Sequence, residues 1–218
     1  MSDTIALWHA DHVNFAQLLD LLEGQLDLFH KGESPYYELM LDIMFYMTHY
    51  PDELHHPKED LAFARIKQRA ADSGRIVDEL TEQHALLKES GDALLHALDD
   101  IVNDSIITPR AHVEEAARAY VADFRRHMHT EETAIFPLAA TLLRASDWVA
   151  IDAAIRHMDD PLFAKNGEER YAALRRQIAR EARVSKVITR QEARPEPEVH
   201  SVSDRRPERP TGEQEPVV

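Results

Sequence analysis

His55-His56-Pro57-Lys58-Glu59-Asp60 sets two adjacent imidazoles ahead of a carboxylate, with His55 and Glu59 four residues apart. Residues four apart on a helix lie one above the other on the same face. The spacing returns downstream in His127-Met128-His129-Thr130-Glu131. Two single histidines, His12 and His84, fall inside other strongly helical segments. Four helices that bring these residues together around a pair of metal ions are the expectation.

The apolar periodicity places each group on an inward face. A first helix is expected from about Thr4 to Phe29, with Ile5, Trp8, His12, Phe15, Ala16, Leu19 and Leu26 in one stripe. Gly32 reads as its stop, and Ser34 before Pro35 as the next start. The second helix, to about Ala70, carries Leu41, Met44, Phe45, Thr48, Asp52, His55, Glu59, Phe63 and Ile66 on one side. Pro51 and Pro57 should kink it or distort a turn. His56 sits at the stripe's edge, close enough to join if Pro57 distorts the turn. A competing pair, His49 and Glu53, fails because Glu53 is turned well away from the stripe. The third helix follows Asp72-Ser73-Gly74 and runs to about Val102, with Val77, Leu80, His84, Leu87, Gly91, Leu95 and Leu98 in phase. The fourth runs from Pro109 to about Leu143, with Val113, Ala117, Tyr120, Phe124, His127, Glu131 and Ile135 inward. His129 and Glu132 should point away, and Pro137 should distort the chain locally.

Composition narrows the function. No cysteine is present, which removes disulfides, thiolate zinc, iron–sulfur clusters and thiol nucleophiles. A net charge of −15 argues against nucleic acid and anionic membranes as partners. Met1-Ser2-Asp3-Thr4 lacks a leader pattern, and no apolar run would span a bilayer, so a cytoplasmic location is expected. The expected fold class is all-α: an antiparallel up-down four-helix bundle over residues 1–145, a helical extension over 146–183 and a disordered tail over 184–218. In the extension, Ser146-Asp147 should cap a short helix around Trp148 to Met158, Asp160-Pro161-Leu162-Phe163 should turn, and a sixth helix should span Gly167 to about Ala182. Trp148 and Phe163 should anchor these pieces to the bundle.

One inward histidine can be a satisfied core residue. His12, His55, His56, Glu59, His84, His127 and Glu131 together put ionisable groups on all four helices near one level. Two buried glutamates without cations would be strongly destabilising. Imidazole and carboxylate without thiolate suit iron, manganese or zinc. Seven such ligands are too many for one ion and suit two, with both carboxylates bridging and a position left open. His9, His49 and Tyr50 are outlying candidates, and Tyr120 shares the His127 face two turns away.

The order His12, His55-x-x-x-Glu59, His84, His127-x-x-x-Glu131 resembles the hemerythrin-like (HHE cation-binding) family over about residues 4–145. The resemblance implies a non-haem centre of two iron ions, oxo- or hydroxo-bridged, with His12, His55, His84 and His127 as ligands and Glu59 and Glu131 as carboxylate bridges. Oxygen-carrying hemerythrins have a second histidine one turn after the third-helix ligand. Lys88 stands there in this chain, and His56 is the expected substitute. The implied function is binding or reaction of O2, peroxide or nitric oxide at an open iron position, in stress response or redox handling. Electrons would come from an unidentified donor, because no flavin or nicotinamide fingerprint is present. Catalase-like or nitric-oxide chemistry would be the enzymatic form, and an iron or oxygen sensor without catalysis the alternative.

Overall fold

The first apolar stripe becomes one face of helix α1 (Asp3–His30), on which Ile5, Trp8, Phe15, Leu18, Leu19, Leu22 and Leu26 are buried. The structure, a computed structural model, describes residues 3–103, 109–155, 158, 160–163 and 169–180. Among the described residues the regular structure is helical and no strand occurs, which makes the chain all-α. Gly32 ends α1 with φ +72°, a left-handed conformation that glycine adopts without steric penalty. Helix α2 (Tyr37–Tyr50) starts two residues later than Pro35. The Tyr36 N–H donates to the Gln25 side-chain oxygen at 2.9 Å, and Tyr36 stays outside the helix at φ −86°, ψ 90°.

The interruptions expected at the prolines take one form. Pro51–His55 and Glu131–Ile135 are single turns of π-helix. Each closes over five residues: the His56 N–H donates to the Pro51 carbonyl, and the Phe136 N–H to the Glu131 carbonyl. Helix α3 (His56–Arg69) then has Pro57 as its second residue. Proline lacks an N–H, and in a helix its ring meets the carbonyl four residues back. A wider turn just ahead relieves that clash and adds one residue to the register. Helices α4 (Gly74–Val102) and α5 (Arg110–Thr130) are uninterrupted, and α6 (Phe136–Leu142) follows the second π turn with Pro137 as its second residue.

Helix α1 packs on α5 and α2, and α4 packs on α2, α3 and α5. The buried side chains form two apolar clusters. One holds Phe15, Leu19, Met44, Tyr46, Leu87, Leu94, Tyr120 and Phe124. The other holds Ile5, Trp8, Phe63, Ile66, Leu80, Ile135 and Phe136. Along α1 the chain passes from the second cluster to the first, with His12 between. From α2 to α3 it returns, with His55 and Glu59 between. Helix α4 repeats the first direction across His84, and α5 to α6 the return across His127 and Glu131. The ionisable residues therefore occupy one layer sandwiched by apolar ones. On α4 the fully packed residue is Leu94, and Leu95 of the expected stripe is half-buried.

Helix α7 (Ala145–Ala154) begins before the expected Ser146-Asp147 cap, because the Asp147 carboxylate accepts the Arg144 N–H at 2.7 Å. Trp148 packs on Trp8 with ring centroids 5.6 Å apart, as expected of an anchor. Asp160 organises the following turn: Oδ1 accepts the N–H groups of Leu162 and Phe163 at 2.8 Å each, and Oδ2 accepts the Tyr46 hydroxyl at 2.8 Å. Residues 169–180 are helical and bury Tyr171 and Leu174. Residues 104–108 of the loop expected from Asn103 to Thr108, the ends of the sixth helix and the tail from 184 lie outside the described residues. Among the described residues no single helix is long and apolar enough to cross a membrane.

Candidate metal centre

His12, His55, His56, Glu59, His84, His127 and Glu131 are all buried, and both glutamates are fully so. The two carboxylates lie between two sets of imidazoles. Glu59 Oε1 is 3.1 Å from His55 Nε2 and 3.9 Å from His12 Nε2, while its Oε2 is 3.7 Å from His84 Nε2. Glu131 Oε2 is 3.4 Å from His12 Nε2, while its Oε1 is 3.2 Å from His127 Nε2 and 3.5 Å from His84 Nε2. The wide turn at Pro51–His55 brings His56 inward too, and its ring stacks on His84 at 4.2 Å.

The five imidazoles are oriented alike. His55 Nδ1 meets Asp11 Oδ2 at 3.0 Å, and His84 Nδ1 meets Asp60 Oδ1 at 2.9 Å. His127 Nδ1 meets Gln83 Oε1 at 3.1 Å, and His12 Nδ1 meets Glu132 Oε1 at 3.0 Å. His56 Nδ1 meets Asp52 Oδ1 at 3.1 Å. Carboxylate and amide oxygens accept, so Nδ1 is the donor to them and Nε2 is the nitrogen turned toward the cluster. Metal-binding histidines are held in this way. Four of the contacts form a ring around the centre. Asp11, next to His12, holds His55, and Asp60, next to Glu59, holds His84. Gln83, next to His84, holds His127, and Glu132, next to Glu131, holds His12.

Apart from Asp52, which lay on the expected inward stripe, these outer residues were not visible in the periodicity. Glu132 is a correction: expected to point away, it reaches His12 because the second π turn widens the helix at Glu131–Ile135. A polar residue beside each inward ligand was the available signal. The outlying candidates stay outside the cluster. His9 pairs with Glu132, and His49 stacks on Phe45 and donates to its carbonyl at 2.7 Å. The Tyr50 hydroxyl contacts Asp11 at 3.5 Å, and Tyr120 packs in the apolar core. Lys88 is largely exposed and pairs with Asp92 at 2.9 Å.

The polypeptide alone leaves polar atoms of this cluster without hydrogen-bond partners. Both oxygens of Glu59, both of Glu131, and Nε2 of His84 and His127 are buried without a hydrogen-bond partner. Burial opposes protonation of His55, but Glu59 and Asp11 outweigh it and hold its pKa at about 10. Burial likewise opposes His84, which Asp60, Glu131 and Glu59 raise to about 9. Burial raises the Glu131 pKa, yet His127, His12 and His84 drive it well below the usual carboxylate range. Burial and the neighbouring histidines keep His56 neutral. Asp52 is pushed up to about 7 by burial, with Lys88 opposing.

The spacing fits cations. Two donors about 2.1 Å from one ion are about 3.0 Å apart in an octahedron and about 3.4 Å apart in a tetrahedron. Two donor groups qualify: His12, His55 and Glu59, and His56, Glu59, His84 and His127, with the ligand atoms of each group within 4.8 Å of one another. Glu59 belongs to both. The fold and this cluster define a helical protein with a buried histidine–carboxylate site able to hold metal. The Hemerythrin HHE cation binding domain matches residues 3–139, and the chain belongs to that family. No curated protein and no solved structure matches it.

Proposed function

We propose that this chain is a non-haem di-iron protein that binds or reacts with O2, peroxide or nitric oxide. The observation that carries the reading is the pair Glu59 and Glu131, buried without hydrogen-bond partners, each directing one oxygen toward His12 and the other toward His84. Two cations sharing two carboxylates would satisfy every one of those oxygens. The alternating passage of the four helical segments between the two apolar clusters supports an antiparallel four-helix bundle as the scaffold.

Donor counts support an open position on one side of the centre. The His56, His84 and His127 side offers three imidazoles and two carboxylate oxygens; the other offers His12, His55 and two carboxylate oxygens. Two ions held by these residues in octahedral coordination would therefore have more room for a ligand beside His12 and His55. Iron bound there would supply a change of oxidation state and a place for a small ligand. The chain's own residues fix the imidazoles through Nδ1 and keep bulk water out of the layer. A donor protein or small reductant would supply electrons in the cytoplasm.

The test is Fe(II) reconstitution without oxygen, followed by titration with O2, H2O2 and NO while absorption is recorded. A saturable spectral change with one of them supports the reading, and iron loading with no response to any would contradict it. A sensor without catalysis is the second reading. It is favoured by the six unpartnered atoms, which tie the stability of the layer to the cation. Metal-loaded and stripped protein cut at the same rate by protease would remove that reading.

A further inference from the structure

The five imidazoles and two carboxylates are enclosed, so a cation must be handed inward. Two of the cavities among the described residues touch residues that hold the inward histidines. The first, ≈320 Å³, reaches Asp11 and His55 and is also lined by Lys58, Asp152 and Asp160. Its carboxylates attract a divalent cation while the ammonium group repels one, but the imidazole in its lining, His55, already belongs to the centre, so no separate imidazole stands there to capture an ion. The second, ≈290 Å³, is lined by Ile5, His9, Glu132, Phe136, Pro137 and Ala140, with no lysine or arginine.

At this second cavity stand two donors of the kinds the centre uses. His9 Nδ1 lies 2.8 and 3.0 Å from the two oxygens of Glu132. That separation is one edge of a coordination polyhedron, by the spacing given above. His9 is 59% exposed and Glu132 30%. The same carboxylate reaches the buried His12 through Nδ1 at 3.0 Å, and on the other side of that ring Nε2 lies 3.4 Å from Glu131 Oε2. A surface imidazole, a rim carboxylate, one buried ring and a bridging carboxylate thus form a continuous series. The extra residue of the π turn sets Glu131 and Glu132 on the inner and outer sides of His12.

We propose that His9 and Glu132 form a loading site, which captures a divalent transition-metal ion at the surface and passes it by the His12 ring to Glu131. This rests on the metal-centre reading, which loading itself tests separately. His9 is joined to Glu132 and not to the seven inward residues by hydrogen bond, so its removal should alter the rate of loading and not the capacity.

The experiment mixes metal-free protein with Fe(II) without oxygen and follows uptake as the loss of chelator-accessible iron. Wild type, His9→Ala and Lys58→Ala are compared, with final iron content and melting temperature recorded for each. The expected result is about tenfold slower uptake by His9→Ala, the lower end of what a focusing cleft contributes to association. Its final iron content should equal that of wild type, and Lys58→Ala should load at the wild-type rate. Equal rates for wild type and His9→Ala would overturn the loading site and leave the centre standing. Faster uptake by Lys58→Ala would also overturn it, by showing that cations enter beside Asp11. No uptake by wild type would remove both the centre and its loading site.

Discussion

His12 and His55 meet nitrogen to nitrogen, with their Nε2 atoms 3.1 Å apart in the interior. Both rings are held from behind at Nδ1, by Glu132 and Asp11, so neither Nε2 needs a proton to satisfy its ring. A positive charge has to lie between the two nitrogens, and in the metal-free chain it is the proton that, against burial, Glu59 and Asp11 hold on His55 up to a pKa of about 10. A shared cation would take the place of that proton, and Glu59 Oε1 already lies beside both nitrogens. His55→Ala is therefore expected to lose about half of the bound metal, because the set around His84 and His127 keeps its own ligands. Metal analysis after desalting measures this.

Outer residues should matter by affinity and not by fold. Asp60 is partly exposed and holds His84 from outside the layer. Asp60→Ala frees the His84 ring to rotate. Metal affinity should fall about 10–100-fold, measured by competition with a coloured chelator, while the helical circular dichroism stays at the wild-type level.

Metal removal should destabilise the protein, and the glutamates should decide by how much. With free metal at about 100 times Kd, binding adds about 2.7 kcal/mol to folding. Chelation should therefore lower the melting temperature of wild type. The double variant Glu59→Gln and Glu131→Gln should melt at the same temperature with or without chelator. Its metal-free form should be at least as stable as metal-free wild type, since two buried charges are gone. A metal-dependent melting temperature in the double variant would contradict the bridging role.

Two glycines separate close packing from helix propensity. A Cβ on Gly91 would lie 2.9 Å from Thr48 Cγ2 and 3.1 Å from Tyr120 Cε2, so α4 approaches α2 and α5 closely there. Gly91→Ala should destabilise by about 1–3 kcal/mol. Gly24 on α1 has nothing within 4 Å of its Cβ position. Gly24→Ala should stabilise by about 0.5–1 kcal/mol, because alanine restricts the unfolded chain. Urea denaturation of both variants reads the opposite signs.

Much of the interior was legible because helical spacing of apolar residues reports burial directly. His12, His84 and His127 lay in phase with Trp8, Leu80 and Phe124, and all are buried. His56 depended on a backbone event, and Pro57 signalled it: the wide turn ahead of the proline carries His56 inward. Glu132 was misread for the same physical reason, since a regular 100° step per residue does not describe a π turn. Asp11, Asp60 and Gln83 were missed because each serves a histidine on another helix, and spacing within one helix carries no information about that partner. The start of α7 was misplaced because Asp147 acts three residues into the helix and not at its cap.

The most direct measurement is the metal content and absorption spectrum of the protein purified without chelator and reconstituted with Fe(II) in the absence of oxygen. About two irons per chain, with ferric near-ultraviolet absorption appearing on exposure to O2, is the expected result for two carboxylate-bridged ions. A chain that retains no metal after reconstitution would contradict the centre, and would leave Glu59 and Glu131 buried with no cation to satisfy them.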